Sequence, residues 1–223
     1  MTAFDLDTDS VRNLNQALHD ASTGQMAIAN PGGRHCIACG IDAALKVSID
    51  GHVGYYCAGM NKTAQIIVAG NAGPGVAENI MSGSVRVTGN ASQYAGASGH
   101  GGTLIIEGDA SSRCGISMKG VDIVVAGNVG HMSAFMAQKG RLVVCGDAGD
   151  FIGDSLYEAC IYVRGTVGEL GADCIEKEMT AEHLTGLAEL LESAGVEAKA
   201  DEFRRYGSAR KLYNFNIDHA DDY

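Results

Sequence analysis

The sequence predicts an all-β protein, a right-handed single-stranded parallel β-helix with 19-residue coils and short N- and C-terminal helices. Two observations lead to this prediction. Glycine recurs every 19 residues without interruption. In every complete repeat, two branched apolar residues lie 15 and 17 positions after this glycine. The repeated glycines, taken as position zero, are Gly51, Gly70, Gly89, Gly108, Gly127, Gly146 and Gly165.

The apolar pairs indicate one strand in each repeat, because residues two apart place their side chains on one face of a strand. The pairs are Ile66/Val68, Val85/Val87, Leu104/Ile106, Ile123/Val125, Leu142/Val144 and Ile161/Val163. A 19-residue unit is too short for a strand–helix–strand crossover, which needs about 30 residues. One unit cannot bury its own apolar face but stacked units can, so the repeat predicts one coil per unit. At a spacing of ~4.8 Å, about seven coils form a rod of roughly 34 Å.

Small and turn-forming residues mark the corners in the pattern G-x-x-[GS]-x-x-x-[AG]. Glycine at position zero predicts a positive φ or a close approach of two backbones. Asn or Asp at position one predicts a left-handed residue that bonds its own backbone, and stacked Asn side chains can also bond between coils. Right-handedness follows by exclusion, because neither a six-residue sub-period nor a G-G-x-G-x-D motif occurs.

Residues 1–31 are predicted to form an N-terminal helical cap over the first coil. Asp9 or Ser10 is a suitable helix cap, an apolar stripe includes Leu14 and Leu18, and Gly24 is expected to stop the helix. Residues 32–174 are predicted to form the β-helix. Its first, imperfect coil is expected to place Arg34, His35 and Cys39 at positions two, three and seven.

Residues 175–223 are predicted to contain a helix and a partner-docking tail. Thr180 is a suitable N-cap and Gly195 a suitable terminator, and the helix between them is expected to fold over the last coil or dock on another subunit. Arginine and lysine then cluster with aromatic residues. Arginine and aromatic residues are enriched in interface cores, although a charged surface strip is an equal alternative. The candidate docking residues in this tail are Arg204, Arg205, Tyr206, Arg210, Lys211 and Tyr213.

A second candidate docking surface is the row of side chains that points outward between the members of each apolar pair. This row is mostly apolar, which suits burial under a partner better than sugar chemistry. Aspartate at positions 105 and 124 is therefore expected to weaken assembly without unfolding the coils. The outward residues proposed for docking are Ile67, Ile105, Val124, Val143 and Tyr162.

The composition argues against several classes of partner. Sixteen Lys and Arg against 27 Asp and Glu leave a net charge of -11, which disfavours nucleic acid because phosphate binding needs a basic face. No apolar run is long enough to predict a membrane span, and no signal peptide is recognised, so a cytoplasmic location is expected. Seven cysteines, an odd number, fit a reducing compartment.

No catalytic constellation is found in the sequence. Cys36-x-x-Cys39 resembles half of a metal site, but a second pair is absent, so small buried residues are the preferred interpretation and no metal is expected. The glycine-rich segment from Ser98 to Gly102 precedes a strand rather than a helix, which disfavours a phosphate-binding loop.

The glycine motif over residues 32–174 resembles the GXGXG β-helix at the C-terminus of the glutamate synthase large subunit, and also the solenoid subunit of formylmethanofuran dehydrogenase. With the tail FRRYGSARKLYNFNIDHADDY, the chain is most similar to the stand-alone solenoid subunit of N-methylglutamate synthase. That enzyme makes N-methylglutamate and ammonia from methylamine and glutamate.

The resemblance implies a non-catalytic scaffold in a hetero-oligomer. The expected partners are a class II glutamine amidotransferase-like subunit and a glutamate synthase-like subunit. FMN and an iron–sulfur cluster are expected on the latter, and no cofactor is expected on this chain. Two alternatives remain, a solenoid like that of formylmethanofuran dehydrogenase and a catalytic carbohydrate-active β-helix.

Overall fold

The computed structural model of the chain describes residues 2–210, which form two α-helices and an 11-stranded sheet. The strands, in chain order, are β1 (Thr2–Asp5), β2 (Thr23–Ala29), β3 (Ala44–Asp50), β4 (Gln65–Val68), β5 (Ser84–Val87), β6 (Thr103–Ile106), β7 (Lys119–Val125), β8 (Lys139–Val144), β9 (Cys160–Val163), β10 (Cys174–Lys177) and β11 (Arg204–Ser208). Helix α1 is Val11–Asp20, α2 is Ala181–Ala194, and a short 3₁₀ helix covers Ala200–Glu202.

Strands β1 to β9 stack in chain order, each parallel to the next, as a parallel β-helix requires. From β3 to β9 residues 19 apart lie side by side, as in the pairing of Ile66 with Val85 and of Val85 with Leu104. A second ladder of single bridges joins position two of every repeat, from Val53 to Val167. The prediction of a β-helix with 19-residue coils is therefore confirmed.

The two residues of each apolar pair point into the coil and are completely or almost completely buried. Each coil returns through a turn at positions four to nine, which also stacks on its neighbours. In that turn positions five, seven and nine adopt left-handed φ angles, for example 60° at Tyr56, 57° at Ala58 and 56° at Met60. In every repeat except the last, where Ala172 is exposed, the small residue at position seven is buried against the apolar pairs, which explains why Ala or Gly occupies that column.

The repeated glycines allow neighbouring coils to approach closely, one of the two reasons predicted for them. A Cβ atom on Gly89 would lie 2.2 Å from Asn71 Oδ1, and one on Gly108 would lie 2.1 Å from Asn90 Oδ1. Apart from Gly51, these glycines do not have positive φ angles. Any larger residue would therefore push two coils apart.

The prediction of left-handed Asn and Asp residues at position one was wrong, because none of them has a positive φ. Instead, each side chain accepts a hydrogen bond from the backbone N–H of the same position in the next coil. Asn71 Oδ1 accepts from Asn90 N at 2.8 Å, and Asp109 Oδ1 accepts from Asn128 N at 2.7 Å. The column continues to Thr166 and forms a ladder that links the coils outside the sheet.

The prediction that Cys39 occupies position seven of the first coil was also wrong. Ala58 N donates to Ile37 O in the same way that Ala77 N donates to Cys57 O, so the turn of the first coil is offset by 20 residues rather than 19. Ala38, with a φ of 58°, therefore occupies position seven in place of Cys39. Cys36 occupies position five.

Helix α1 closes the N-terminal end of the apolar core. Ser10 is the N-cap, and its side chain accepts a hydrogen bond from Asn13 N at 3.1 Å. The Asn15 side chain donates to Cys36 O at 2.7 Å and accepts from Ala38 N at 2.9 Å. Its amide thus makes the hydrogen bonds that a preceding coil would otherwise make with this turn. Gly24 does not stop this helix, because α1 ends at Asp20 and Gly24 lies in β2. The segment predicted to be a helical cap thus contributes two strands as well.

Helix α2 begins and ends where predicted, with Thr180 as N-cap and a left-handed Gly195 after its last turn. It does not fold over the last coil. It lies across the outer face of the sheet, and β11 returns to pair antiparallel with β9. Strand β10 then pairs with β11 and forms the C-terminal edge of the sheet.

Candidate interaction surface

The predicted row of docking residues is largely covered by the chain itself. Val124 and Val143 are completely buried, and Tyr162 and Ile105 are 3% and 6% exposed. These four residues pack with α2 in a second apolar cluster outside the coil, so their assignment to a partner surface was wrong. Ile67 lies beyond the reach of α2 and is 47% exposed.

The layer over β6–β9 is formed by α2 and the segment that follows it. Helix α2 contributes the apolar side chains of Leu187, Leu190, Leu191 and Ala194, and Phe203 adds to the cluster from the returning segment. A 14-residue helix spans ~21 Å, close to the ~19 Å between five adjacent strands. The helix therefore crosses the strands from β9, near Tyr162, to β5, near Arg86.

Arginines on the strands bind the backbone of α2. Arg141 Nη1 donates to Gly186 O at 2.8 Å, while its Nε donates to Asp122 Oδ1 at 2.8 Å. This hydrogen bonding to Asp122 raises the pKa of Arg141 despite partial burial. The strand-face charges at this point serve to hold the helix rather than to face solvent.

The tail residues predicted to dock a partner lie mainly in or beside β11. Tyr206 is 2% exposed and packs on the core, so it offers no surface to a partner and its assignment is corrected. Arg204 Nη2 donates to Gly165 O at 3.0 Å, Arg205 Nε donates to Glu178 O at 2.9 Å, and Arg210 is paired with Asp173. These three arginines fasten the C-terminal strands, and Lys211 and Tyr213 lie outside the described residues.

One signal in the sequence points to this arrangement. Two apolar surfaces are present in the chain, the outward strand row and the leucine side of α2, and each needs a cover. The simplest arrangement is that these two surfaces pack against each other. The predictions above instead assigned the strand row to a partner, and α2 to the last coil or another subunit. Strand β11, RRYGS, is short and lacks alternation, so no periodic signal marks it.

The Cys36-x-x-Cys39 pair lies in the turn of the first coil. Cys36 is exposed, whereas Cys39 is half-buried and its thiol donates to Tyr56 O at 2.8 Å. Burial and the neighbouring Cys36 raise the pKa of Cys39 to about 12. Across residues 2–210, no group of three or more His, Cys, Asp or Glu side chains is arranged to hold a metal ion.

The stacked turns form a third face, called here the turn face and defined by positions four, five, eight and nine of each repeat from Tyr55 to Asp173. Position five of each coil donates its N–H to position four of the next, from Tyr56 N to Pro74 O at 2.9 Å up to Phe151 N to Glu169 O at 2.6 Å. Positions six and seven point into the core, so the flanking pairs point outward. Large apolar residues on this face are 36–47% exposed, namely Tyr55, Met60, Met136, Phe151 and Leu170.

The whole chain is similar to a known protein from a bacterium. It is 62% identical over 228 residues to Protein GlxC of Rhizobium meliloti (strain 1021), and the match covers 100% of both chains. The chain belongs to the GlxC family. No family model matches the sequence. Within the described part of this GlxC-family chain, neither helix is long and apolar enough to cross a membrane.

Proposed function

We propose that this GlxC-family chain is a non-catalytic scaffold subunit of a cytoplasmic, glutamate-synthase-like enzyme, of the N-methylglutamate synthase type. The proposal combines the motif resemblance with one structural observation, a coil stack whose turn face is apolar and is left uncovered by residues 2–210. Apolar side chains aligned along a rod suit binding of other chains. The enzyme would act as an oxidoreductase or transferase in methylamine metabolism.

In this proposal the partners carry the chemistry. A class II amidotransferase-like chain and a glutamate synthase-like chain with FMN and an iron–sulfur cluster bind to the stack. Fixed placement matters because a reactive amine that passes between two sites is lost if the route opens to water. A solenoid whose coils are joined by two hydrogen-bonded ladders is stiff enough to keep the two partner chains in a fixed arrangement.

The catalytic β-helix is disfavoured by the layer over the strand face. A polysaccharide lyase or hydrolase of this shape needs acidic or basic residues on an exposed strand face. Here α2 covers β6–β9, and the charged side chains Arg141 and Asp122 are bonded to each other and to α2. The formylmethanofuran dehydrogenase-like alternative shares the coil, and the neighbouring genes distinguish it.

Co-expression tests the proposal. The chain purified alone is expected to contain no flavin and to form no N-methylglutamate from methylamine and glutamate. Co-expression with the amidotransferase-like and synthase-like chains of the same organism is expected to yield one stable, active complex. Flavin bound stoichiometrically to the lone chain, turnover by it, or no association with either partner would refute the scaffold role.

A further inference from the structure

The turn face differs in composition from the rest of the chain. Between Tyr55 and Met136 its outward positions carry only two formal charges, those of Glu78 and Arg113, although charged residues make up 19% of the chain. Tyr, Met, Phe and Ile occupy much of the remainder, and aromatic residues and Met are enriched in interface cores. Its other apolar residues include Tyr56, Tyr94, Ile116, Met132 and Phe135.

The face is continuous and ordered by the backbone. Because neighbouring coils lie ~4.8 Å apart, the six steps from Tyr55 to Leu170 extend over roughly 29 Å. Aromatic rings in adjacent coils touch, as His131 and Phe151 do with ring centroids 5.4 Å apart. Side chains on rigid turns lose little freedom when a partner binds, which favours affinity.

The charges on the turn face indicate which charges a complementary partner must present. Arg113 lies in the coil that begins at Gly108, the middle one of the seven glycine repeats, and has no carboxylate partner among residues 2–210. Asp150, Asp154 and Glu169 lie at the C-terminal end of the face and likewise lack a cationic partner within that range. A complementary surface thus needs an acidic group at the middle and basic groups at one end.

A second copy of this chain does not meet that need. If two turn faces pack antiparallel about a two-fold axis at the central coil, Arg113 meets the same arginine of the second copy, and Glu78 meets Asp154. If they pack parallel, the acidic C-terminal end of one face lies against the same end of the other, which brings Asp150, Asp154 and Glu169 of both copies together. Like charges placed opposite each other in an interface cost several kcal/mol.

We propose that the turn face is the docking surface for one different protein chain of the complex. That chain presents an apolar strip with an acidic side chain opposite Arg113 and basic side chains opposite Asp150, Asp154 and Glu169. The strand face is excluded over β6–β9 because α2 covers it. This inference rests on the scaffold role proposed above and specifies the surface and the chemistry of its partner.

Binding of purified variants to the purified amidotransferase-like and synthase-like chains tests the proposal. Phe151→Asn is a suitable variant because Phe151 is 39% exposed, asparagine tolerates its left-handed φ of 60°, and the change adds no charge beside Asp150. It is expected to weaken binding to one of the two chains about tenfold, roughly the effect of truncating one well-packed interface side chain. Arg113→Glu is expected to weaken the same complex and to reduce the salt dependence of its affinity.

Ile175→Asn is the matched control, because Ile175 is also apolar and 43% exposed but lies in the edge strand β10, outside the turn face. It is expected to bind like the unchanged chain, and circular dichroism checks that all three variants are folded. Unchanged affinity of the Phe151 and Arg113 variants in a complex that does form would overturn the turn-face proposal alone. A dimer of the lone chain that dissociates on Phe151→Asn would also overturn it. Failure of the unchanged chain to bind either partner would refute the scaffold role and this inference together.

Discussion

The guanidinium of Arg86 on β5 donates through Nη2 to the backbone oxygen of Ala194 at 2.8 Å, and so binds the last turn of α2 to a strand 108 residues earlier. The same guanidinium pairs with Glu107 on the next coil at 2.8 Å. Carbonyl groups in the last turn of a helix have no partner within it, and a cation also suits the negative end of the helix dipole. Arg86 therefore fixes where the covering layer ends.

Replacing Arg86 with leucine is expected to loosen the C-terminal end of α2. The loss of a charged hydrogen bond at a partly exposed site corresponds to about 1–2 kcal/mol in the free energy of unfolding. Urea denaturation measures this loss, and hydrogen exchange should rise in the last turn of α2 while the coils keep their protection. Lys46→Leu on β3 is the control, and an equal effect of both changes would contradict the role assigned to Arg86.

Val124→Asp is expected to detach α2 from the coils. Val124 is completely buried between the strand and the helix, so an aspartate would place an uncompensated charge there, at a cost of about 3–5 kcal/mol. Limited proteolysis should then cut within residues 181–194 while the coil stack stays resistant. Ile67→Asp, on the exposed part of the same face, should leave the cleavage pattern unchanged. A protected α2 in the Val124 variant would show that the helix is held by other contacts.

Asn15→Leu is expected to open the N-terminal end of the stack. The change removes the exposed hydrogen bond to Cys36 O and leaves the partly buried Ala38 N without an acceptor, and such an unpaired group costs about 1–3 kcal/mol. Thermal denaturation should show a lower midpoint, and the exposed end should promote association between chains. Asn13→Ala, in the same helix but with no side-chain bond of this kind, should retain the original midpoint.

Asp147→Asn is expected to remove part of the acid sensitivity of the fold. The hydrogen bond from Thr166 N to Asp147 Oδ1 lowers the pKa of this carboxyl below its ordinary value. A carboxyl with a lowered folded pKa contributes stability above its unfolded pKa, and that contribution is lost as the pH falls through the folded pKa. The amide keeps the acceptor oxygen, so the variant should lose less stability than the parent chain below about pH 4.

Denaturation at a series of pH values between about 3 and 6, a range that spans the ordinary titration of carboxyl groups, measures this difference. Asp201→Asn, at an exposed carboxylate in the returning segment, is the control and should follow the parent curve. Parallel curves for the parent chain and the Asp147 variant would show that the ladder does not couple to protonation.

Much of the interaction surface was not predictable from the sequence. The outward position of Val124 and Val143 follows from strand alternation, but alternation says only which side a residue faces. It does not say that residues 181–194 cover that side. Likewise, the exposure of Tyr55 and Phe151 depends on a turn that alternates left-handed and right-handed residues, and the spacing of glycines contains no information about that alternation.

The sequence by itself determined the coil length, the positions of β4 to β9, the close approach at glycines such as Gly89 and the N-caps of both helices. Each of these depends on local geometry repeated at a fixed interval or on a local capping residue, so the sequence pattern is enough to reveal it. The tertiary structure decided that α2 lies on the strands, that β11 enters the sheet and that residues 2–210 leave the turn face exposed. Those outcomes depend on contacts between residues far apart in the chain. An apolar surface that is buried by such contacts is no longer accessible to a partner.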